Sequence, residues 1–164
     1  MNLPEKLSKI LPTVTAEAHC DIPCGIYEPT QAKIAAKTVQ RMVMQIKELK
    51  PPGHDHDEVS GTIEFSNAIA RRIINKEKHA KLCKKELGTL WVDYFKPEHL
   101  EKYPDLHTKF WNAMKLCSKN KQSVDEEAAK KLVEAVDEIA KIFYETKNDP
   151  ERYASYQDIT DKLF

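Results

Sequence analysis

The chain has 164 residues, enough for one domain with a single sizeable core. Lysine plus arginine and aspartate plus glutamate both number 26, so the zero net charge gives no indication of a nucleic-acid or anionic-membrane partner. No apolar run approaches the roughly 18 residues of a membrane span. Glycine is scarce, while alanine, lysine, glutamate and leucine are common, which favours helices.

Residues 1–18 do not have the pattern of a secretory signal. The start is basic, but the apolar stretch at residues 10–12 is very short and ends in proline. Residues 15–18 (TAEA) are small and could form a processing site. We interpret residues 1–18 as the propeptide of a cytoplasmic protein, with an ordinary disordered terminus as the alternative.

Residues 19–27, with the sequence HCDIPCGIY, combine one imidazole, two thiols, a proline and a glycine. That combination is typical of a metal or redox site. Cys20 and Cys24 lie close together, so in a reducing compartment they are better interpreted as ligands or a redox pair than as a structural disulfide. Cys83 and Cys117 lie on apolar helical stripes and are predicted to be buried structural thiols.

Two amphipathic helices are predicted next. The first begins with Thr30 as a candidate N-cap and ends at the Pro-Pro-Gly of residues 51–53. The second begins near Asp57 and runs through the eighties. Lys76 and Gly88 are the weak points of its apolar stripe, and Gly88 is a candidate break or bend.

Two further helices are predicted, the third from Pro97 or Pro104 and the fourth after a polar stretch at residues 118–124. Four apolar stripes are most economically buried in an all-α, up-and-down four-helix bundle, here preceded by an N-terminal metal-hook loop. The aromatic residues of the tail either pack on the bundle or are loose. We therefore predict a propeptide, a metal hook, a helical bundle and a tail, at residues 1–18, 19–29, 30–147 and 148–164.

Cleavage before His19 would create a donor set that the uncut chain lacks. The new terminus offers its amine and the His19 imidazole, the amide nitrogen and sulfur of Cys20, and the sulfur of Cys24. Two nitrogens and two sulfurs in a plane suit nickel(II) or copper(II), whereas tetrahedral zinc would more naturally take side chains alone. Anionic sulfur and amide donors stabilise nickel(III), so the donor set favours one-electron chemistry of the kind that superoxide undergoes.

Three blocks of the sequence resemble the nickel superoxide dismutase family. They are the motif HCDxPCGxY, the segment LWVDYFKP with the EKYP and LH that follow it, and KIFYETK, at residues 19–27, 90–97, 101–107 and 141–147. The blocks occur in the family's order. The resemblance covers about residues 19–147.

The resemblance implies that a dedicated peptidase removes residues 1–18. It implies one nickel ion per subunit, bound by the amine and imidazole of His19, the amide and sulfur of Cys20 and the sulfur of Cys24. It also implies a right-handed four-helix bundle assembled as a homohexamer. From the balanced charge and the short apolar runs we expect no nucleic-acid or membrane partner. One superoxide would reduce nickel(III) and leave as dioxygen, and a second would oxidise nickel(II) and leave, with two protons, as hydrogen peroxide.

The resemblance also assigns roles around the nickel. Tyr27 matches a tyrosine that orders small molecules beside the open face of the metal, which makes it, with His19, a predicted catalytic residue. Many family members carry a glutamate that hydrogen-bonds the axial imidazole and an arginine that pairs with it. Ala35 and His79 occupy those positions here. We therefore expect another group to hold the His19 ring, or the ring to be freer.

Four further residues match positions that shape or surround the hook. Pro23 matches a cis-proline of the loop, in keeping with the tolerance of X-Pro bonds for the cis form. Asp21 and Tyr94 match residues that brace the hook. Lys96 matches a lysine that helps to draw in an anion, although outside this context it would be an ordinary solvated lysine.

Two other functions remain open from the sequence. In one, Cys20 and Cys24 form a reversible disulfide and no metal binds. In the other, a helical interaction module merely sequesters metal with its N-terminal segment. The histidines and aspartates of residues 54–57 could bind a metal, but in a loop after Pro-Pro-Gly a solvated, capping role is favoured. For the leading hypothesis we predict that the intact chain is inactive, because the His19 nitrogen is then tied up in a peptide bond.

Overall fold

The computed structural model describes residues 25–52 and 58–164. Within these ranges the chain forms six α-helices and one π-helical turn, and no strand. The helices are α1 (Thr30–Glu48), α2 (Glu58–Thr89), α3 (Pro97–Lys102), α4 (Leu106–Gln122), α5 (Glu126–Lys147) and α6 (Pro150–Asp161), and the π-helical turn (Leu90–Tyr94) directly follows α2. No helix in this part of the chain is long and apolar enough to cross a membrane.

The four long helices close into a ring around one core. Helix α1 packs against α2 and α5, and α4 packs against the same two helices from the other side. The buried side chains are mainly alanine, valine, leucine, isoleucine and phenylalanine, the volumes that let helices approach closely and interdigitate. The predicted all-α four-helix bundle is therefore confirmed. Residues 19–24 of the predicted hook loop lie outside the described residues, and residues 25–29 lie within them.

Helix α1 begins at Thr30, one residue earlier than it would if Thr30 were its N-cap. Pro29 already has helical backbone angles, φ −77° and ψ −9°, and occupies the N-cap position. Thr30 is therefore the first helical residue, and the prediction that it caps the helix is wrong. Its hydroxyl instead donates to the Glu28 carboxylate over 2.9 Å. The helix ends at Glu48, before the Pro-Pro pair, as predicted.

Both predicted weak points of α2 are part of a continuous helix. The helix passes through Gly88 to Thr89 without a break. Lys76 is only 2% exposed, and its Nζ donates to the carbonyl oxygens of Asn120, of Lys121 over 3.1 Å and of Ser123 over 2.9 Å. Lys76 therefore caps the C-terminus of α4 from a neighbouring helix. Burial lowers the pKa of Lys76, and the charge of Glu77 partly offsets that effect.

Contacts of Lys76 and Asn120 at the end of α4 explain why this helix extends into the predicted polar connection. Asn120 is buried, and its Nδ2 donates to the carbonyl oxygens of Leu116 and Ala128, over 3.0 and 2.8 Å. The helix thus continues to Gln122, and the connection is shorter than the predicted residues 118–124. The third predicted segment is in fact two helices, α3 and α4. Cys83 and Cys117 are buried, as predicted.

The C-terminal tail is a helix packed on the bundle. Asn148 ends α5 in the left-handed conformation, with φ 53° and ψ 44°. Asp149 then caps α6 by accepting from the Arg152 backbone N–H over 3.0 Å, with Pro150 in the first turn. Tyr156 is 3% exposed and its hydroxyl donates to Asp137 over 2.9 Å. Helix α6 contacts α5 and α1.

Candidate metal centre

The structure describes the C-terminal end of the hook, residues 25–29. Gly25 has φ +70°, a left-handed conformation that a residue with a side chain rarely adopts, although nothing lies within 4 Å of where a Cβ would be. The requirement for glycine after the second cysteine is therefore conformational. The three predicted ligands and two of their predicted neighbours stay predictions, because they lie outside the described residues: His19, Cys20 and Cys24, and Asp21 and Pro23.

Tyr27 and Tyr94, both predicted from the sequence, are brought together. Their ring centroids are 5.8 Å apart, with the rings tilted by 55°. Tyr94 ends the π-helical turn and also packs on Phe143 of α5 at 4.5 Å and stacks on His99 of α3 at 5.7 Å. Tyr27 thus contacts an aromatic group that three elements of the bundle hold in place.

The hydroxyl of Tyr94 points to helix α5. Its oxygen lies 2.7 Å from Thr146 Oγ1, and Thr146 itself donates to the Phe143 carbonyl over 2.7 Å. A carbonyl only accepts, so the single Thr146 proton is used there and the Tyr94 phenol must be the donor to Thr146. Tyr94 therefore supports Tyr27 with its ring, while its hydroxyl is occupied in the bundle.

Lys96 lies near this cluster with its side chain exposed. Its backbone carbonyl accepts from His99 N over 2.9 Å and its N–H donates to His99 Nδ1 over 3.1 Å, so its backbone starts helix α3. The lysine over the Tyr94 ring is Lys147, whose Nζ is 5.6 Å from that centroid and 4.8 Å from that of Phe143. No sequence pattern indicates a role for Lys147, because its position depends on the register of α5 against the π-helical turn.

A cavity of about 200 Å³ lies beside Tyr27, between the start of α1 and the end of α2. At roughly 30 Å³ per water in the liquid, it has room for a few waters. Its walls are partly polar. The lining residues are Ile26, Tyr27, Glu28, Gln31, Glu86, Thr89 and Leu90.

Glu28, at the end of the hook, binds side chains from three helices. Its Oε1 accepts from the hydroxyls of Thr30 and Tyr144, and its Oε2 accepts from Arg152 Nη2 over 2.8 Å. Burial, followed by the bond to the Glu28 carboxylate, raises the pKa of Tyr144. The sequence analysis missed all three partners. The Asn-Asp-Pro of residues 148–150 is a helix stop and start signal that could have predicted α6, but not its contact with Glu28.

The two positions at which this chain departs from the family pattern carry other contacts. Ala35 is fully buried in the core. The His79 ring donates from Nδ1 to the Asn75 carbonyl over 2.9 Å, within its own helix. In the described residues, no group of three or more histidine, cysteine, aspartate or glutamate side chains could hold a metal ion. The His-Asp pairs of residues 54–57 lie outside them.

Comparison with known proteins gives a consistent result. The model of the family described as nickel-containing superoxide dismutase matches residues 14–147. Two curated relatives named Superoxide dismutase [Ni] each align over 136 residues, 83% of this chain and 93% of the relative. They come from Streptomyces coelicolor (strain ATCC BAA-471 / A3(2) / M145), at 39% identity, and Streptomyces seoulensis, at 40%.

Solved structures of nickel superoxide dismutase are similar as well. A native structure matches with a TM-score of 0.67 and 36% identity, over 79% of this chain and 99% of that one. An apo structure matches with a TM-score of 0.64 and 34% identity, over 76% of this chain and 99% of that one. The similarity thus extends over nearly the whole length of those chains and leaves part of this one unmatched.

Proposed function

This chain belongs to the nickel-containing superoxide dismutase family, and from that membership we propose that cleavage before His19 completes its metal centre. The protein is a nickel-dependent superoxide dismutase, which converts two superoxide ions and two protons into dioxygen and hydrogen peroxide. The observation that carries this conclusion is the family match over residues 14–147, which includes the entire HCDxPCGxY motif.

The donors that the sequence provides fit nickel. After cleavage, the His19 amine and the Cys20 amide supply two nitrogens, Cys20 and Cys24 supply two sulfurs, and the His19 imidazole supplies a fifth donor. Such a set of soft, anionic sulfur donors together with nitrogen donors would suit nickel(II) and would lower the cost of oxidising it. Bound nickel would supply one-electron exchange with superoxide by alternating between the divalent and trivalent states.

The surrounding residues bind and orient the small anion. Tyr27 orders superoxide or water beside the hook in this proposal, and the contact of its ring with that of Tyr94 at 5.8 Å supports the role. Lys147, over the Tyr94 ring, and exposed Lys96 add positive charge on this side of the bundle and favour the approach of an anion. Asp21 and Pro23 shape the hook itself in this proposal.

Self-association as a homohexamer and processing by a peptidase in the cytoplasm complete the proposal. Large apolar side chains that are exposed in the single chain support assembly, since burial would remove them from water. They include Ile63, Ile74, Val92, Trp111 and Ile159. Light scattering of the processed protein is expected to give the mass of six chains, and a monomer would contradict this part.

The decisive experiment compares two forms of the chain. A chain that begins at His19 is loaded with nickel and assayed for superoxide decay beside the intact chain that begins at Met1. We expect turnover only from the processed form, because only its His19 nitrogen is free to bind the metal. Turnover by intact protein would contradict the amine-donor argument. Disulfide exchange without nickel would favour the Cys20–Cys24 switch, and bound nickel without turnover would favour metal sequestration.

A further inference from the structure

Helix α6 carries Arg152 to the hook. The left-handed residue Asn148 reverses the chain at the end of α5, and α6 then packs back over α5 and α1. Asp149 caps the new helix through the Arg152 backbone N–H, so Arg152 lies in the first turn. From there its guanidinium reaches Glu28, 124 residues earlier in the chain.

The Glu28 carboxylate is held from three sides. Arg152 of α6 binds one oxygen over 2.8 Å, and the hydroxyls of Tyr144 from α5 and Thr30 from α1 bind the other. Tyr144 is 3% exposed, so its hydroxyl is in a fixed position. The Arg152 side chain is 56% exposed, and an ion pair that accessible adds little to stability. The Arg152–Glu28 ion pair therefore acts mainly by fixing the position of the Glu28 carboxylate.

The rest of α6 is anchored independently of Arg152. The Tyr156 hydroxyl donates to Asp137, which also pairs with buried Lys33. At the end of the helix, Asp161 lies 3.4 Å from the same lysine. Because these contacts dock α6 near its middle and its end, a substitution at Arg152 would free the second oxygen of the Glu28 carboxylate without undocking the helix.

We propose that α6 is a clamp for the metal hook, in which Arg152 is a positioning residue that holds Glu28 and so fixes the backbone beside Tyr27. Glu28 directly follows Tyr27, so a displacement of Glu28 also moves the Tyr27 backbone. The inference rests on the proposed function, since it assigns the hook as the metal site. It extends that function because the family match ends at residue 147, before α6 begins.

The first test requires no metal. Hydrogen–deuterium exchange is measured on the intact chain for the backbone amides of residues 26–34, with Arg152→Gln, Arg152→Lys and Lys162→Gln compared with the parent. Lys162 is the matched control, because it is an exposed cation at the end of α6 that pairs only with Asp158 among the ion pairs described. We expect several-fold faster exchange in Arg152→Gln, restoration toward the parent in Arg152→Lys and no change in Lys162→Gln.

The second test concerns the metal. Chains that begin at His19 are loaded with nickel and challenged with a chelator, and nickel loss is followed by absorbance. We expect Arg152→Gln and Glu28→Gln each to lose nickel several-fold faster than the parent. The double variant should be no faster than the single variants, because each single change already breaks the pair.

The outcomes separate the proposals. Unchanged exchange in Arg152→Gln would overturn the clamp. Faster exchange with unchanged nickel loss would overturn the positioning role and leave the proposed function intact. A parent chain that takes up no nickel would overturn the proposed function and, with it, the positioning role. This outcome can be told apart from the others. The parent and Arg152→Gln would then both fail to bind nickel, while their hydrogen–deuterium exchange would still differ.

Discussion

Lys76 shows how one buried cation can end a helix that belongs to another part of the chain. Its Nζ contacts three carbonyl oxygens at the end of α4, which would otherwise lack partners. The sequence identified Lys76 only as an interruption of an apolar stripe. Its partners lie 44 to 47 residues away, and no local pattern indicates them.

We expect Lys76→Met to lower the free energy of unfolding by about 2–3 kcal/mol, since hydrogen bonds from a charged donor are lost and buried carbonyls are left unsatisfied. Urea denaturation measures the change. Lys78→Met is the control, because Lys78 is exposed on the same helix and should change stability by less than about 0.5 kcal/mol. Equal effects of the two variants would show that the capping contact is unimportant.

Tyr94 has two separable contacts, its ring against Tyr27 and its hydroxyl to Thr146. Tyr94→Phe keeps the ring, so we expect turnover per bound nickel close to that of the parent and a loss of about 1 kcal/mol in stability. Tyr94→Ala removes the support of Tyr27 and should lower turnover per nickel markedly. Steady-state superoxide decay at measured nickel content distinguishes them. A phenylalanine variant as impaired as the alanine variant would place the hydroxyl in the reaction.

The helices themselves were predicted well because apolar residues recur at steps of three and four along each of them. Their ends were predicted less well, and α6 was left undecided. Gly88 did not break α2, because a glycine inside a helix costs only about 1 kcal/mol and packing against α4 offsets it. The π-helical turn that places Tyr94 follows immediately and had no signal in the spacing.

Gly88→Ala should therefore stabilise the protein by up to about 1 kcal/mol, or about 2–4 °C in melting temperature. A Cβ at Gly88 would lie 3.9 Å from Met114 Cε, an ordinary contact. Gly61→Ala is the comparison, since its Cβ would lie 3.1 Å from Pro52 Cβ and the crowding opposes the same gain in propensity. Thermal denaturation ranks the two, and a lower midpoint for Gly88→Ala would indicate that the glycine is needed for the turn that follows.

For the molecule as a whole, two buried tyrosines make stability depend on alkaline pH. Burial, followed by the charge of Asp137, raises the pKa of Tyr156 well above its ordinary value of 10.0. Burial and Glu28 likewise raise the pKa of Tyr144. The folded state thus retains protons that the unfolded state releases, so this stability is complete below about pH 10 and is lost as the pH rises above it.

Denaturation by urea between about pH 8 and pH 11 should accordingly show a fall in stability above pH 10, by up to about 1.4 kcal/mol per pH unit for each such tyrosine. Tyr156→Phe removes one of them and should reduce that slope. The lowered pKa of Lys76 makes stability rise with pH, opposite to the effect of the tyrosines. This contribution is the same in the parent and in Tyr156→Phe, so it cancels when their slopes are compared. Parallel profiles for the variant and the parent would contradict the assignment.

The site was predictable where a short motif carries its chemistry and unpredictable where distant elements meet. The motif at residues 19–27 indicated nickel and Tyr27 without any structure. The resemblance to the family predicts that Tyr94 braces the hook, and the structure adds the geometry of its ring against that of Tyr27. The contacts of Glu28 with Tyr144 and Arg152 depend on how α5 and α6 pack beside the start of α1, a tertiary arrangement that spacing does not encode.

The Glu28 contacts also set an order of events during synthesis. Tyr144 and Arg152 follow Glu28 by 116 and 124 residues. While the ribosome is still making the first helices, which emerge before the rest of the chain, neither partner exists. The anchor beside the hook can therefore close only after Arg152 has been translated, long after Glu28 itself.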